Sequence, residues 1–547
     1  MSTFSIIMAM LVAVVLSGVL AKLLPSAIPL PFIQIGLGFV VASVFQRGVL
    51  IEPDIFFLLF LPPLLFLDGW RVSKIAVLRE ASSITQLAFG LVFLTVLGVG
   101  YFIHWMIPSI PLPVALAIAA IVSPTDPVAV EAIAKRAPMP RRMLAILEGE
   151  SLFNDASGLV AFRLAVAVAL TGSFSLTNAA LSFLWLTFAG VGIGAGLTLA
   201  LMRARSVFSR RFGFEPRTDV LLSLLLPFFV YLVAEHAGAS GILAAVTAGI
   251  TMSYAEMSGR QSAATRVERA TVWNMIQFTL NGMMFVLLGE QFPTILSNLS
   301  SAATESGEQS LYWLPFYGLA ICLALMIVRL IWVSISLKIS AIVARRRGHP
   351  ARPIGIRLIL AMSVAGVRGA VTLAGVMTLP FTVGDGIPFP ARDLAISLSA
   401  MVIIFSLLLA SAALPALLHG LHFPPNSRLQ QERALAQETI LKAALDSLPL
   451  AVKRHVDARP DDAPLYTKIS EDVAANLRHQ AGQGIETHTD EDLAKLQGIE
   501  RELRLEAIDA SRHAVYQLAR THRISDALAR NEVLQLDLQE ARLRGND

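Results

Sequence analysis

The chain has 547 residues, of which 55% are hydrophobic and only 15% charged, and its mean hydropathy is +0.64. Soluble domains carry about 25% charged residues, so this composition excludes an ordinary soluble enzyme. A single cysteine, Cys322, excludes a disulfide framework, an iron–sulfur cluster and a cysteine-rich zinc site. Residues 425–547 hold 17 Lys or Arg and 21 Asp or Glu, against 27 and 19 in residues 1–424. We therefore predict an apolar membrane domain over 1–424 and a polar helical tail over 425–547, for which regulation is one hypothesis.

The apolar domain divides into stretches long enough to cross a bilayer, which takes about 20 residues of helix. About thirteen are found: 4–24, 28–45, 53–70, 82–107, 112–133, 143–171, 177–202, 219–236, 239–255, 271–298, 311–343, 355–381 and 391–419. The first has no basic segment before it and is longer than a typical signal-peptide core, so we interpret it as the first span.

The Lys and Arg residues between the spans predict the orientation. If the N-terminus lies outside, the cytoplasmic loops carry 20 Lys or Arg, whereas the opposite loops carry two, Arg47 and Arg392. Cytoplasmic loops of membrane proteins are enriched in these residues. We expect a multi-pass protein of the plasma (inner) membrane, embedded in the lipid bilayer, with its C-terminal tail in the cytoplasm. This distribution also explains the pI of 9.3 without a nucleic-acid partner.

The fifth span contains an interruption. Pro124 and Pro127 bracket Thr125 and Asp126, and each proline removes a backbone donor and disfavours helix in the residue before it. We predict two half-helices that meet at an unwound centre, which a bilayer tolerates only where the free backbone lines a cavity. Asp126 would lie beside the half-helix ends and neutralise a positive dipole end. The alternative is a proline-kinked structural helix.

The sixth span carries the polar residues best placed to bind an ion. Glu150 and Asn154 share one helical face, while Ser151 and Asp155 share the adjacent face. A carboxylate with a hydroxyl one turn away offers hard oxygen ligands to an alkali cation. Burial raises the pKa of a carboxyl group and a bound cation lowers it, so such a site can exchange a proton for a cation near neutral pH. Glu150 is expected to need a cationic partner of its own.

Spans eleven and twelve carry buried arginines. Arg329, in span eleven, is a lone cation that needs a carboxylate. In span twelve, Gly366 and Gly369 flank Arg368 and predict a second unwound crossing, where a positive charge suits the carbonyl-rich C-terminal ends of half-helices. Spans five and twelve are seven apart, so they run in opposite directions, as inverted repeats require. The predicted fold is therefore all-α and polytopic, with inverted repeats and two crossed, broken helices.

Other polar residues in the spans have two interpretations. Asp68, Arg163 and Glu290 either lie near span ends and reach the interface or take part in function. Glu235 and His236 form either an interfacial polar cap or a pH sensor, since histidine titrates near neutrality.

Five motifs together resemble those of the monovalent cation/proton antiporters, the family of the sodium/proton exchangers and NhaP-type antiporters. They are Phe60–Phe66, Ser123–Val130, Glu148–Asp155, Asn281–Gly289 and Gly366–Val371. The resemblance covers about residues 5–420. It implies a homodimer in which each subunit has a dimerisation bundle and a moving core of six helices.

The same resemblance implies roles for individual residues of the site. Asp155 matches the essential ion- and proton-binding aspartate, and Asn154 before it goes with electroneutral exchange. Thr125, Asp126 and Ser151 match positions in or near the cation site, so Thr125 and Ser151 would join Asp155 as ligands of Na⁺ or another alkali cation.

Three more positions match charges that the resemblance assigns to the architecture. Glu150 and Arg329 match a buried pair that holds the core bundle together, and Arg368 matches the arginine of the second crossed helix.

We therefore expect a secondary antiporter that exchanges Na⁺, or alternatively K⁺ or Li⁺, for H⁺ and so serves pH homeostasis. Asp155 would bind cation or proton competitively by alternating access, and no cofactor is predicted. One alternative is a cation channel on the same spans, although no symmetric pore motif is present. The other is a membrane-embedded enzyme, although the sequence has no HExxH or GxSxG motif.

Overall fold

The computed structural model describes most of the apolar domain and scattered positions of the tail. The described residues are 3–24, 28–45, 53–72, 77–78, 80–134, 139–172, 176–212, 216–256, 263–297, 313–346, 355–383, 387–419 and 421, with isolated positions between 442 and 543. The chain forms two units, Met1–His422 and Phe423–Asp547. The predicted helical tail, 425–547, lies mostly outside the described residues, although 445–453 are helical.

The first unit is almost entirely helical, which confirms the predicted fold class. Its helices are α1 (Thr3–Leu23), α2 (Leu30–Phe45), α3 (Pro53–Arg71), α4 (Ala81–Met106), α5 (Leu112–Ile121), α6 (Pro127–Ala134), α7 (Arg141–Thr171), α8 (Leu176–Phe212), α9 (Pro216–His236), α10 (Gly241–Glu256), α11 (Ala263–Ser297), α12 (Trp313–Arg346), α13 (Ile356–Val364), α14 (Ala370–Met377) and α15 (Arg392–Leu418). Among the described residues, eight helices are long and apolar enough to cross a membrane. The total of thirteen crossings stays a prediction.

A short antiparallel hairpin between α14 and α15 was not expected from the all-α prediction. Its strands are β1 (Thr382–Val383) and β2 (Ile387–Pro388), with Val383 opposite Ile387. The sequence between α14 and α15 contains several prolines and glycines, which end a helix and favour a tight turn.

The helices of the first unit pack as two bundles, as their mutual contacts show. The scaffold bundle contains α1–α3 and α8–α11, and the core bundle contains α4–α7 and α12–α15. If α5 with α6, and α13 with α14, are each taken as one broken helix, the core bundle has six elements.

Glycines allow close helix contacts in the scaffold bundle. A Cβ atom on Gly38 of α2 would collide with the backbone of Val286 in α11, and one on Gly289 would collide with the backbone of Ile35. Small residues bring helix backbones together in a lipid environment, where packing rather than the hydrophobic effect drives association. These contacts rigidly join α2 to α11.

Helix α4 contains a π-helical turn at Gln86–Leu91 that joins three core helices. The wider turn frees backbone carbonyls for other donors. The Trp332 indole of α12 donates to the Gln86 carbonyl at 3.0 Å, and the Ser157 hydroxyl of α7 donates to the Ala88 carbonyl at 2.6 Å. The π-turn therefore fastens α4 to both α7 and α12.

Candidate cation-binding site

The two broken helices of the core bundle cross at their unwound centres. Helix α5 ends at Ile121 and α6 begins at Pro127, while α13 ends at Val364 and α14 begins at Ala370. The backbone N–H of Asp126 in the first break donates to the carbonyl of Val367 in the second, at 2.8 Å. The interruptions that the proline and glycine patterns predict therefore lie in contact, with their backbones hydrogen-bonded to each other.

Arg368 supplies the donors that the unwound backbone lacks. Its side chain is buried, and its Nε donates to the Val122 carbonyl at 2.8 Å. A second guanidinium nitrogen donates to the Gly366 carbonyl, and the Arg368 backbone N–H donates to Ser406 Oγ of α15 at 3.1 Å. A buried cation thus satisfies carbonyls left free at both helix ends, as the dipole argument predicts.

Thr125 connects the first break to α7. The Ser151 hydroxyl donates to the Thr125 carbonyl at 2.7 Å, and Asn154 Nδ2 donates to Thr125 Oγ1 at 3.0 Å. All three side chains are buried. Ser151 and Asn154 lie on adjacent faces of α7, so together they fix the unwound segment against the helix that carries Asp155.

A cavity of about 60 Å³ opens at this crossing, between the two bundles. That volume accommodates a few water molecules, or a partly hydrated cation. The core bundle contributes the polar residues Thr125, Asp126, Ser151, Asp155 and Thr372, and the scaffold bundle contributes Asp68, Gln277 and Asn281.

The cavity is strongly acidic. Asp68, Asp126 and Asp155 line it, and its described lining includes no Lys, Arg or His. Asp155 is only 8% exposed and, among the residues that the structure describes, forms no ion pair or hydrogen bond. Carboxylates grouped in a low-dielectric cleft attract cations and repel anions. The site is therefore built to receive a cation.

The oxygens around Asp155 fit an alkali cation as the cargo. The Ser151 hydroxyl uses its proton for Thr125, which leaves its lone pairs free to accept or coordinate. Asn154 Oδ1 is buried without a partner. Within the described part of the chain, no cluster of three or more His, Cys, Asp or Glu has the arrangement of a resident metal site.

Glu150 lies on the same helix as Asp155 and has a different environment. Its carboxylate accepts two hydrogen bonds from Arg329 of α12, at 2.5 and 2.7 Å, and both side chains are 1% exposed. Arg329 Nε also donates to the Met362 carbonyl of α13, at 2.9 Å. This arrangement joins three helices of the core bundle and does not border the cavity.

Four polar residues of the cavity, Asp68, Gln277, Asn281 and Thr372, were not predicted from the sequence to belong to the site. Asp68 was left between an interfacial and a functional role, Asn281 was noted only within a motif, and Gln277 was not noted. Gln277 and Asn281 are one turn apart on α11, and Arg71 donates to Gln277 Oε1 at 2.6 Å. Polar residues four apart on one face of a predicted span are the signal that could have identified this face.

Glu290 and Glu235 lie away from this cavity. Glu290 is buried in α11, where its carboxylate accepts a hydrogen bond from Gln291 at 2.7 Å. Glu235 forms an ion pair with Arg163 at 3.3 Å.

Crossed broken helices around a carboxylate-lined cavity, in a polytopic helical bundle, define a secondary ion transporter. The family "Sodium/hydrogen exchanger, transmembrane" matches residues 7–420, and the chain belongs to this family. It is therefore a cation/proton antiporter of the membrane rather than an enzyme, as the sequence motifs predict.

Individual relatives agree with this assignment. The chain is 38% identical to an uncharacterized Na⁺/H⁺ exchanger of Escherichia coli over 550 residues, covering 99% of each chain. It is 42% identical to the sodium, potassium, lithium and rubidium/H⁺ antiporter of Bacillus pumilus, over 76% of this chain and 61% of that protein. The fold resembles the sodium proton antiporter MjNhaP1 of Methanocaldococcus jannaschii, with a TM-score of 0.58 and 20% identity over 77% of this chain and 99% of that one.

Proposed function

We propose that this protein exchanges Na⁺ for H⁺ across the plasma membrane, with K⁺ and Li⁺ as further substrates, and that Asp155 binds both ions. The observation that carries the proposal is the cavity at the helix crossing, lined by three carboxylates and no basic side chain among its described residues. The name of the B. pumilus relative, which covers four alkali cations, supports a site that accepts more than one of them.

Competition for one carboxylate explains the coupling. A proton on Asp155 removes the charge that a cation needs, and a bound cation disfavours the proton. Ser151 and Thr125 supply neutral oxygens beside the carboxylate and so complete a cation shell without adding charge. Because an empty, charged Asp155 in an acidic, largely buried cavity is unfavourable, the site passes from one side of the membrane to the other with one ion or the other bound.

The division into two bundles supports alternating access. The ligands Asp155, Ser151 and Thr125 belong to the core bundle, whereas Asp68, Gln277 and Asn281 form the facing wall on the scaffold bundle. Movement of the core bundle against the scaffold would carry the ligands past that wall. We propose that two subunits associate through their scaffold bundles, which leaves each core bundle free to move.

The replacement Asp155→Asn tests the assignment. It keeps the shape of the side chain and removes its charge, so we expect Na⁺-driven proton movement in everted vesicles to be lost while expression and thermal stability stay near wild type. Asp393→Asn, at the start of α15 and outside the cavity, is the matched control and should transport normally. Substantial exchange by the Asp155 variant would disprove the proposal.

We further propose that one cation exchanges for one proton, in keeping with Asn154 rather than a second aspartate before Asp155. Such exchange moves no net charge. In proteoliposomes with equal Na⁺ and H⁺ concentrations on both sides, no net exchange should therefore develop when a membrane voltage is imposed through a permeant ion that is not a proposed substrate. A voltage-dependent rate would instead indicate an electrogenic stoichiometry.

We also propose an orientation in the membrane and a role for the tail. The excess of Lys and Arg supports an external N-terminus and a cytoplasmic tail. We propose that residues 425–547 regulate exchange, and that deletion of 430–547 alters the pH profile while exchange itself persists.

A further inference from the structure

A second cavity lies between the bundles, on the other side of Asp155. Its volume is about 440 Å³, and α7 and Thr378 of the core bundle and α3, α9 and α10 of the scaffold bundle line it. On α3, Leu58 lines this cavity, whereas the cavity at the helix crossing, here called the ion-site cavity, is lined by Leu61, Leu64, Leu65 and Asp68. The second cavity is therefore displaced toward the end of α3 that the Lys and Arg distribution predicts to be external.

Apolar side chains separate the two cavities. The two linings share no residue. Leu61 and Leu159, which border one cavity each, are both buried, and so is Phe162 beside the second cavity. In the conformation described here, Asp155 belongs to the ion-site cavity alone.

An ion pair at the wall of the second cavity joins the two bundles. Both guanidinium NH groups of Arg163 donate to the Glu235 carboxylate, at 3.3–3.4 Å. Glu235 Oε1 also accepts from the backbone N–H of Gly241, at 3.2 Å, and so it is fixed to the first residue of α10 in the scaffold bundle. Arg163 follows Asp155 by eight residues on α7, about two helical turns. A displacement of α7 along the scaffold that exceeds the reach of these two side chains would therefore separate Arg163 from Glu235.

We propose that the Arg163–Glu235 ion pair is a latch between the bundles: it stabilises the conformation in which Asp155 faces the ion-site cavity and breaks when Asp155 turns toward the second cavity. The inference rests on the alternating access proposed above. The side chains of Arg163 and Glu235 are 52% and 30% exposed, so the pair is weak and can open readily. An exposed ion pair shifts a two-state equilibrium by about two- to fivefold.

Cysteine labelling tests the latch without requiring transport. Cys322 is the one native cysteine, so a Cys322→Ser protein gives a clean background for single probes. Leu159→Cys reports on the second cavity and Met284→Cys on the ion-site cavity, and both positions are buried. Each probe is treated with a membrane-impermeant maleimide from the face toward which its cavity lies.

The neutral variants Arg163→Gln and Glu235→Gln should each raise the labelling rate of Leu159→Cys by about two- to fivefold and lower that of Met284→Cys. The combined reversal Arg163→Glu with Glu235→Arg should return both rates toward those of the unaltered pair. Arg142→Gln is the matched control, because Arg142 is also on α7 but pairs at 2.9 Å with Glu80, at the start of α4 in the same bundle. It should leave both labelling rates unchanged.

Unchanged labelling in both Gln variants, or a combined reversal that behaves as the product of the two single reversals, would overturn the latch. Thermal unfolding of every variant identifies those that fail to fold. If a single reversal fails to fold, the labelling rates of the neutral variants alone decide the test. The labelling result is independent of the Asp155→Asn transport assay, so the latch and the assignment of Asp155 can fail separately.

Discussion

Glu150 and Asp155 lie five residues apart on α7, within one predicted span, and both carboxylates are buried, yet their surroundings differ completely. Glu150 is held by two hydrogen bonds from Arg329 in a buried contact among core helices. Asp155 borders a cavity shared with two other carboxylates. Burial alone therefore does not distinguish a structural charge from a functional one, whereas the groups that face the charge do.

The difference follows from how each charge is stabilised. Arg329 compensates Glu150 permanently, so this pair has no reason to exchange ions with solvent. Asp155 has no such partner among the described residues, and its compensation must arrive from outside as a proton or a cation. The same helix thus carries a permanent charge pair that holds the core together and an exchangeable charge one and a half turns later.

The largest effect is expected from breaking the permanent pair. Arg329→Met leaves the Glu150 carboxylate buried and uncompensated, and should lower the free energy of unfolding by about 3–5 kcal/mol. The loss of stability is measured as the decrease in the midpoint of thermal unfolding in detergent, with the variant and the wild type compared under the same conditions. The double variant Glu150→Gln with Arg329→Met should recover most of the loss, because no buried charge remains. A single variant as stable as wild type would show that the pair is not structural.

A smaller effect is expected from a carboxylate that shares the cavity with Asp155. Asp126→Asn keeps the backbone hydrogen bond to Val367 but removes a charge next to the proposed cation. A charge several Å away contributes about 1–3 kcal/mol at an effective dielectric of 20, so the apparent KM for Na⁺ should rise by about five- to 150-fold. Initial rates of exchange over a range of Na⁺ concentrations give the value, with Asp393→Asn as the unaffected control. An unchanged KM would place Asp126 outside the electrostatics of the site.

The smallest effect is expected from a neutral contact. Ser151→Ala removes the hydrogen bond to the Thr125 carbonyl and one proposed ligand oxygen, a loss of about 0.5–1.5 kcal/mol, or roughly two- to tenfold in KM for Na⁺. Ser157→Ala, on the same helix, loses its bond to the π-turn of α4 instead. It should reduce stability without changing KM. Equal KM values for the two variants would contradict a ligand role for Ser151.

Several features of the site followed from local sequence. Pro124 and Pro127 predict the first break because a proline removes a hydrogen bond wherever it lies. Gly366 and Gly369 predict the second break because glycine destabilises the interior of a helix. The position of Arg368 between two half-helices also predicted that its guanidinium group donates to free backbone carbonyls. In the structure these are the carbonyls of Val122 and Gly366.

Other features needed the folded chain. The residues alone indicated that Glu150 and Arg329 each require a partner, but only the family resemblance connected them across 179 positions. Asp68 was ambiguous because its distance from a span end says nothing about which cavity it borders. The pairing of Arg163 with Glu235 likewise could not be predicted from the sequence, since the two residues belong to different bundles.

The sequence by itself determined the membrane class of this protein, its two interruptions, its polar tail and the short set of charges within the spans. Hydropathy and the backbone chemistry of proline and glycine are local properties, so a single chain reveals them. The tertiary structure decided which of those charges are paired, which border a cavity, and which join one bundle to the other. A buried charge requires a partner by electrostatics, but packing across distant helices selects the partner.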